Sequence, residues 1–343
     1  MSYELPSLCG AYRGYFDIGA AISPHSITKH AELLKKHFNS ITCENQMKYS
    51  LIQPEEGKWN FGPADLIVNF AKENGMRVRG HAPVWHNQTP DWFFKAGDRP
   101  APRELVYERM EQHIKTVAEH FGDDVYVWDV VNEATVDTQD PRHLQRYGLE
   151  TYRQSNYLTL CGIEYLEKSF HLMRKYSPNS QLCYNDYNEC DPLKRERIYN
   201  LMKNLLDRGA PLQVCGMQNH FNLEYPPVEE IKISIEKFAS LGLRLHITEM
   251  DINFYATRIG NEVSYDAPPP GTVEKHAELY TKIFELYRSY KDVIDSVTFW
   301  GPADDSSWLS RRGALKNWPL FFDHDHNPKP FVKGIVEAAL AGK

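Results

Sequence analysis

No apolar run in this chain approaches the about 18–20 residues that cross a bilayer, so no membrane-spanning helix is expected. Basic residues do not dominate either. The 39 Lys and Arg against 46 Asp and Glu give a formal charge of −7, which argues against a nucleic-acid partner, whose phosphates call for a basic field. The six cysteines are scattered and form no CxxC pair, so reduced thiols are expected rather than a disulfide framework. The first residues, MSYELPSLCGAYRGYF, hold neither the basic nor the apolar segment of a secretory signal. A cytoplasmic protein is expected from this, the alternative being a secreted one whose signal has been removed. Low-complexity stretches and linkers are missing. The proline-rich residues 267–271 read as a loop, because strand and helix patterns resume on both sides.

What is present is ordinary globular composition: 343 residues, 42% hydrophobic, 25% charged, with 20 Tyr and 7 Trp. A chain of this length buries roughly three quarters of its unfolded surface and needs no covalent or metal staple. Short apolar runs with polar ends recur at 15–20, 40–44, 76–84, 125–132, 181–186, 214–219, 244–251 and 296–301. Their mixed β-branched and aromatic content is that of buried parallel strands. Helix-period segments separate them, at about 26–38, 104–121, 163–176, 192–208, 273–290 and 330–340. Two more carry stop signals: Val228, Ile231, Ile235, Phe238 and Leu241 precede Gly242, and Leu66, Ile67, Phe70 and Ala71 precede Gly75. Eight strand–helix units predict an α/β fold, a (β/α)8 TIM barrel, as a single domain over residues 1–343. A doubly wound sheet is the alternative, but no glycine-rich phosphate loop follows the first run.

In a barrel of this kind function sits at the C-terminal strand ends. Nearly every run ends in hydrogen-bonding groups beside aromatics: Glu44 and Asn45, His81 and Trp85, Asn132 and Glu133, Asn185 to Tyr187, Gln218 and His220, Glu249 and Asp251, and Trp300. Two segments, WDVVNEA (128–134) and HITEMDI (246–252), each carry a Glu in an apolar strand. One such Glu is as well explained by a buried salt bridge, since a lone buried carboxylate costs several kcal/mol. Two of them at one barrel mouth suit glycoside chemistry, in which one acid protonates the leaving oxygen and the other acts at the anomeric carbon.

With these motifs in view the chain resembles glycoside hydrolase family 10 endo-β-1,4-xylanases. The likeness runs from Phe16 to Phe331 through TCENQMKY, GHAPVWHNQTPDWF, WDVVNEA, NDYN, GMQNH, HITEMDI and TFWGPADDSSWL, in that order. It implies a TIM barrel, retaining hydrolysis of xylan or xylo-oligosaccharides, no cofactor and no metal. It also implies Glu133 as general acid/base and Glu249 as nucleophile. The resemblance gives His220 a hydrogen bond to the nucleophile, Asp251 a hold on that imidazole, and Asn132 a contact to the sugar 2-hydroxyl. It assigns Glu44, Asn45, Lys48, His81 and Gln218 to polar contacts on the glycone side. Trp85, Trp300 and Trp308 become aromatic walls, and Tyr187 a stacking residue on the aglycone side.

The chemistry asks for the same pair. Retaining sites hold their carboxyls about 5–5.5 Å apart, too close for a water on the attack path. The nucleophile must be ionised; its partner must be protonated in one step and deprotonated in the next. Xylose lacks the hydroxymethyl group of glucose, so a tight wall at Trp300 would exclude glucose polymers, a discrimination of about 1–3 kcal/mol that leaves room for a weak glucanase activity.

Three features stand apart. ENQMKY departs from the family pattern, which puts an acid at Gln46 and a Trp at Tyr49. The segments 135–158 and 253–272 are long and border the expected cleft, so they bear on subsite number. FDHDHNP (322–328) reads as a solvated turn rather than a metal site. A metal-dependent hydrolase built on His81, His220, His246 and Asp251 is the rival enzyme class, although no His-x-His pair ends a strand. A non-catalytic sugar-binding protein is the other rival, and it has no use for both glutamates. No attached carbohydrate-binding module is expected, and the oligomeric state is left open.

Overall fold

The computed structural model describes residues 5–137, 151–255, 266–311 and 316–342. Eight strands among them close a parallel barrel: β1 (Asp17–Ile22), β2 (Ser40–Cys43), β3 (Arg77–Trp85), β4 (Val125–Asn132), β5 (Gln181–Asp186), β6 (Val214–Met217), β7 (Arg244–Asn253) and β8 (Ile294–Phe299). Each pairs with its neighbour in chain order, and β8 closes on β1 with Asp17 opposite Ser296. Helices α1 (Ala31–His37), α2 (Gly62–Glu73), α3 (Arg103–Phe121), α4 (Glu164–Tyr176), α5 (Pro192–Asp207), α6 (Val228–Ala239), α7 (Thr272–Ser289) and α8 (Pro330–Ala341) follow the strands. The expected architecture is therefore the observed one.

The helices pack by their apolar stripes. In α6, Ile231, Ile235 and Phe238 are buried, and Gly242 follows at φ 77°, a left-handed stop that glycine adopts without a Cβ penalty. In α5, Pro192 occupies the first turn and the Asp191 side chain accepts from the Lys194 amide, so an otherwise orphaned donor is satisfied. All six cysteines are free thiols. Among the described residues, no helix is long and apolar enough to cross a membrane.

Some boundaries shift from expectation. The first strand starts at Asp17, because Tyr15 and Phe16 join an aromatic cluster with Tyr12 and Phe284 instead of entering the sheet. The helix expected over 26–38 breaks at His30, whose ring is drawn to Asp305 at 3.0 Å. After β6 the chain pairs again with β7 through the short strand His220–Asn222.

The register is irregular where the chemistry lies. Between His81 and Val84, β3 advances three residues while β4 advances two, from Asp129 to Val131. Between Ile247 and Met250, β7 advances three while β8 advances two, from Val297 to Phe299. An extra residue of this kind re-aims the side chains beside it. The second irregularity brackets Thr248 and Glu249.

Candidate active site

The open C-terminal end of the barrel holds a cavity of about 810 Å³. Glu133 and Glu249 both line it, with Lys48, His81, Trp85, Asn132, Tyr187, Gln218, His220, Trp300 and Trp308. Eleven residues expected from the sequence thus meet in one cleft. Three do not line it. Asp251 stands behind His220, with its Oδ1 3.0 Å from His220 Nδ1. Asn45 reaches the cleft through Lys48, whose ammonium donates to Asn45 Oδ1 at 2.9 Å. Glu44 is half-buried on the same loop after β2.

Glu133 follows β4 directly and adopts φ 56°, a left-handed conformation that is uncommon for a residue with a side chain. Its amide donates to Asn185 O at 2.8 Å, and its carbonyl accepts from Arg153 Nε at 2.9 Å. The carboxylate is held on both oxygens. Trp85 Nε1 donates to Oε2 at 2.9 Å; Gln218 Nε2 and Asn132 Nδ2 donate to Oε1 at 3.0 and 3.2 Å.

Glu249 is buried in β7. Asn185 Nδ2 donates to its Oε1 at 2.8 Å, and His220 Nε2 to its Oε2 at 3.2 Å. The same Asn185 amide reaches Asn132 Oδ1 at 2.9 Å, so one side chain links the surroundings of both glutamates. A glycine makes room for it: a Cβ at Gly216 would stand 2.4 Å from Asn185 Oδ1. Asn185 ends an apolar strand in a polar group, but its bridging role was not read from the sequence, nor was Arg153. The signals for Asn185 were its place at a polar strand end and in NDYN.

The electrostatics sort the groups. Burial alone pushes the Glu249 carboxyl up, but the hydrogen bond from His220 and the charges of His81, His220 and Lys48 bring it below its ordinary value. Burial pulls His220 down, but Asp251 and Glu249 together raise it to about 9. His220 is thus an imidazolium between two carboxylates, and its Asp251 contact is an ion pair rather than a well-aligned hydrogen bond. Trp308 Nε1 donates to Asp251 Oδ2 at 2.7 Å and fixes the outer carboxylate. Below His81, Asp129 accepts from the ring Nδ1 at 2.9 Å and pairs with Arg79. Burial raises the Asp129 carboxyl, and Arg79 and His81 outweigh it, so the group stays ionised.

Barrel order groups the walls. Lys48, His81, Trp85, Trp300 and Trp308 come from the β2, β3 and β8 ends, and the Lys48 ammonium stands 5.0 Å from the Trp85 ring and 5.8 Å from that of Trp300. Tyr187, Asn188, Asn222 and Tyr225 come from β5 and β6. Beneath Tyr187, Asp186 and Lys194 form an ion pair of 3.0 Å with both side chains fully buried. Tyr49, at the departure from the family pattern, stacks on His113 at 3.5 Å and does not line the cavity. Of the two long segments, residues 138–150 and 256–265 lie outside the described residues.

The groups considered for a metal are dispersed. His81 pairs with Asp129, His220 with its two carboxylates, and His246 accepts from Arg79 at 2.8 Å. Among the described residues, the donors that do approach one another are His30, Asp305 and His326. None of these lines the cleft, and the Lys29 ammonium already stands 2.6 Å from Asp305. From FDHDHNP only His326 takes part in that cluster.

An ionised glutamate held by an imidazolium, a second glutamate within the same amide network, and aromatic walls at a barrel mouth define a two-carboxylate glycoside hydrolase. The sequence profile of glycosyl hydrolase family 10 matches residues 7–338. A β-1,4-xylanase of Dictyoglomus thermophilum is 45% identical over 97% of this chain and 91% of its own length. A protein named thermostable celloxylanase, from Thermoclostridium stercorarium, is 40% identical over 97% of this chain and 88% of its own. The crystal structure of a xylanase from Paenibacillus barcinonensis bound to a conduramine derivative superposes with a TM-score of 0.90 at 41% identity, covering 99% of both chains. The chain belongs to glycosyl hydrolase family 10.

Proposed function

We propose that this enzyme hydrolyses β-1,4-xylosidic bonds of xylan and xylo-oligosaccharides with retention, Glu249 acting as nucleophile and Glu133 as acid/base. In the first step a Glu249 oxygen bonds to the anomeric carbon. The glycosidic C–O bond breaks, and the Glu133 proton passes to the leaving oxygen. In the second step water attacks the same carbon, its proton goes to Glu133, and the Glu249 carboxylate is released. Asn132 binds the 2-hydroxyl as charge develops on the ring, a role supported by its bond to Glu133 Oε1 and its link to Glu249 through Asn185. The glycone lies against Lys48, His81, Trp85 and Trp300, and the aglycone against Tyr187.

The observation that carries this reading is the pairing of Glu249 with a cationic His220, which keeps a buried carboxylate ionised and aimed into the cleft. Trapping tests it. A 2-fluoro xylobioside with a good leaving group should label the protein once, on the peptide that contains Glu249. A label on any other carboxylate removes Glu249 from the role. Trp300, buried against His81 at 5.4 Å, supports xylose selectivity, because a hydroxymethyl group would need the space its ring fills. The relative named a celloxylanase fits a selectivity of limited size.

A further inference from the structure

Arg153 belongs to the segment that returns to the barrel after β4. Its backbone is tied there twice: Val136 N donates to Thr151 O at 3.0 Å, and Arg153 N donates to Ala134 O at 2.8 Å. Its guanidinium makes two further bonds of a different kind. Nε donates to the main-chain carbonyl of Glu133 at 2.9 Å, and Nη2 donates to the Tyr187 hydroxyl at 2.8 Å. One planar, rigid group thus holds the backbone of the acid/base and the ring assigned to the leaving-group side.

The Glu133 backbone needs such a hold. At φ 56° it occupies a left-handed region that is strained for a residue with a Cβ and persists only where its surroundings impose it. Asn185 O fixes the amide side of the residue, and Arg153 fixes the carbonyl side. The carboxyl direction follows from that backbone. The guanidinium does not contact the carboxyl oxygens, which Trp85, Gln218 and Asn132 occupy. The fork geometry matters here, since a lysine ammonium offers a single point and no fixed angle between two acceptors.

We infer that Arg153 is a positioning residue for acid catalysis, setting the direction of the Glu133 carboxyl and coupling it to Tyr187. The inference rests on Glu133 being the acid/base. A sugar stacked on Tyr187 bears on the same guanidinium that fixes the proton donor, so filling the leaving-group side of the cleft tightens the geometry of proton transfer. A displacement of about 1 Å in such a group lowers the rate roughly 10²-fold.

Leaving-group dependence tests this, because a merely structural role would not produce it. Dinitrophenolate departs with little need of a proton, whereas a sugar alcohol needs one. In Arg153→Met, kcat/KM for xylotetraose should fall about 10²-fold, while that for dinitrophenyl β-xylobioside should fall less than about 5-fold. The backbone bonds of Thr151 and Arg153 do not involve the side chain and are left in place. If the methionine variant does not fold, Arg153→Lys carries the test with the same selective loss, and Tyr187→Phe should show a smaller loss of the same kind. Equal losses on both substrates, or no loss on either, overturn the inference. Glu133→Ala measured in parallel separates the two layers. If it too shows no leaving-group selectivity, the acid/base assignment has failed rather than the role of Arg153.

Discussion

His220 Nε2 stands 3.2 Å from Glu249 Oε2, and on its other side Nδ1 stands 3.0 Å from Asp251 Oδ1. The imidazole is therefore cationic well above its ordinary range, to about 9 against 6.5. A proton bound more tightly in the folded than in the unfolded protein stabilises the fold fully below 6.5, and that contribution is lost as pH rises through about 9. Asp251→Asn removes the larger of the two anionic partners. NMR of the His220 ring should show its pKa falling from about 9 toward or below the ordinary value. An unchanged ring titration would contradict this electrostatic account.

Gly216 has no Cβ, and Asn185 uses the space. Gly216→Ala puts a methyl group 2.4 Å from Asn185 Oδ1, so the amide must move off Glu249 Oε1. Overpacking costs about 1–3 kcal/mol of stability. The lost hydrogen bond to a charged group is of similar size, which predicts a roughly 10- to 100-fold fall in kcat/KM in a protein that still folds. Steady-state kinetics alongside a urea titration checks both halves.

Asp186 and Lys194 are fully buried and 3.0 Å apart. Lys194→Met leaves a buried carboxylate without its cation, a loss of about 3–5 kcal/mol. Thr135 and Tyr184 still donate to Asp186, so the local structure is not emptied of partners. Equilibrium unfolding in urea measures the cost. A change under about 1 kcal/mol would show that these hydrogen bonds alone satisfy the carboxylate.

Trp300→Ala opens the wall beside His81. The ratio of kcat/KM for cellotetraose to that for xylotetraose should rise at least 10-fold, the size of a discrimination of about 1–3 kcal/mol in a shaped pocket. A fixed ratio would move the selectivity elsewhere in the cleft.

The barrel was legible because buried parallel strands are short apolar runs, and eight of them alternated with helix-period segments. Glu133 and Glu249 were legible because a carboxylate in an apolar strand has to be accounted for. Tyr15 and Phe16 misled for a related reason: apolar residues before a strand look like part of it, and only the packing with Tyr12 and Phe284 separates them. Asn185 was visible as a polar strand end. Its link to Glu249 depends on a missing methyl group 31 positions away, which no local pattern records. Arg153 sits in a segment without periodicity, and its two acceptors, a main-chain carbonyl and a tyrosine hydroxyl, leave no trace in composition.

The central claim is that Glu249 attacks the anomeric carbon and that water then displaces it from the opposite face, the one the leaving group vacated. Proton NMR of xylotetraose hydrolysis tests this most directly, read before mutarotation mixes the products. The account predicts that the first new reducing ends are the β-anomer, and that Glu249→Ala yields almost none. First products in the α-form would mean a single displacement by water, which would contradict the nucleophilic role of Glu249.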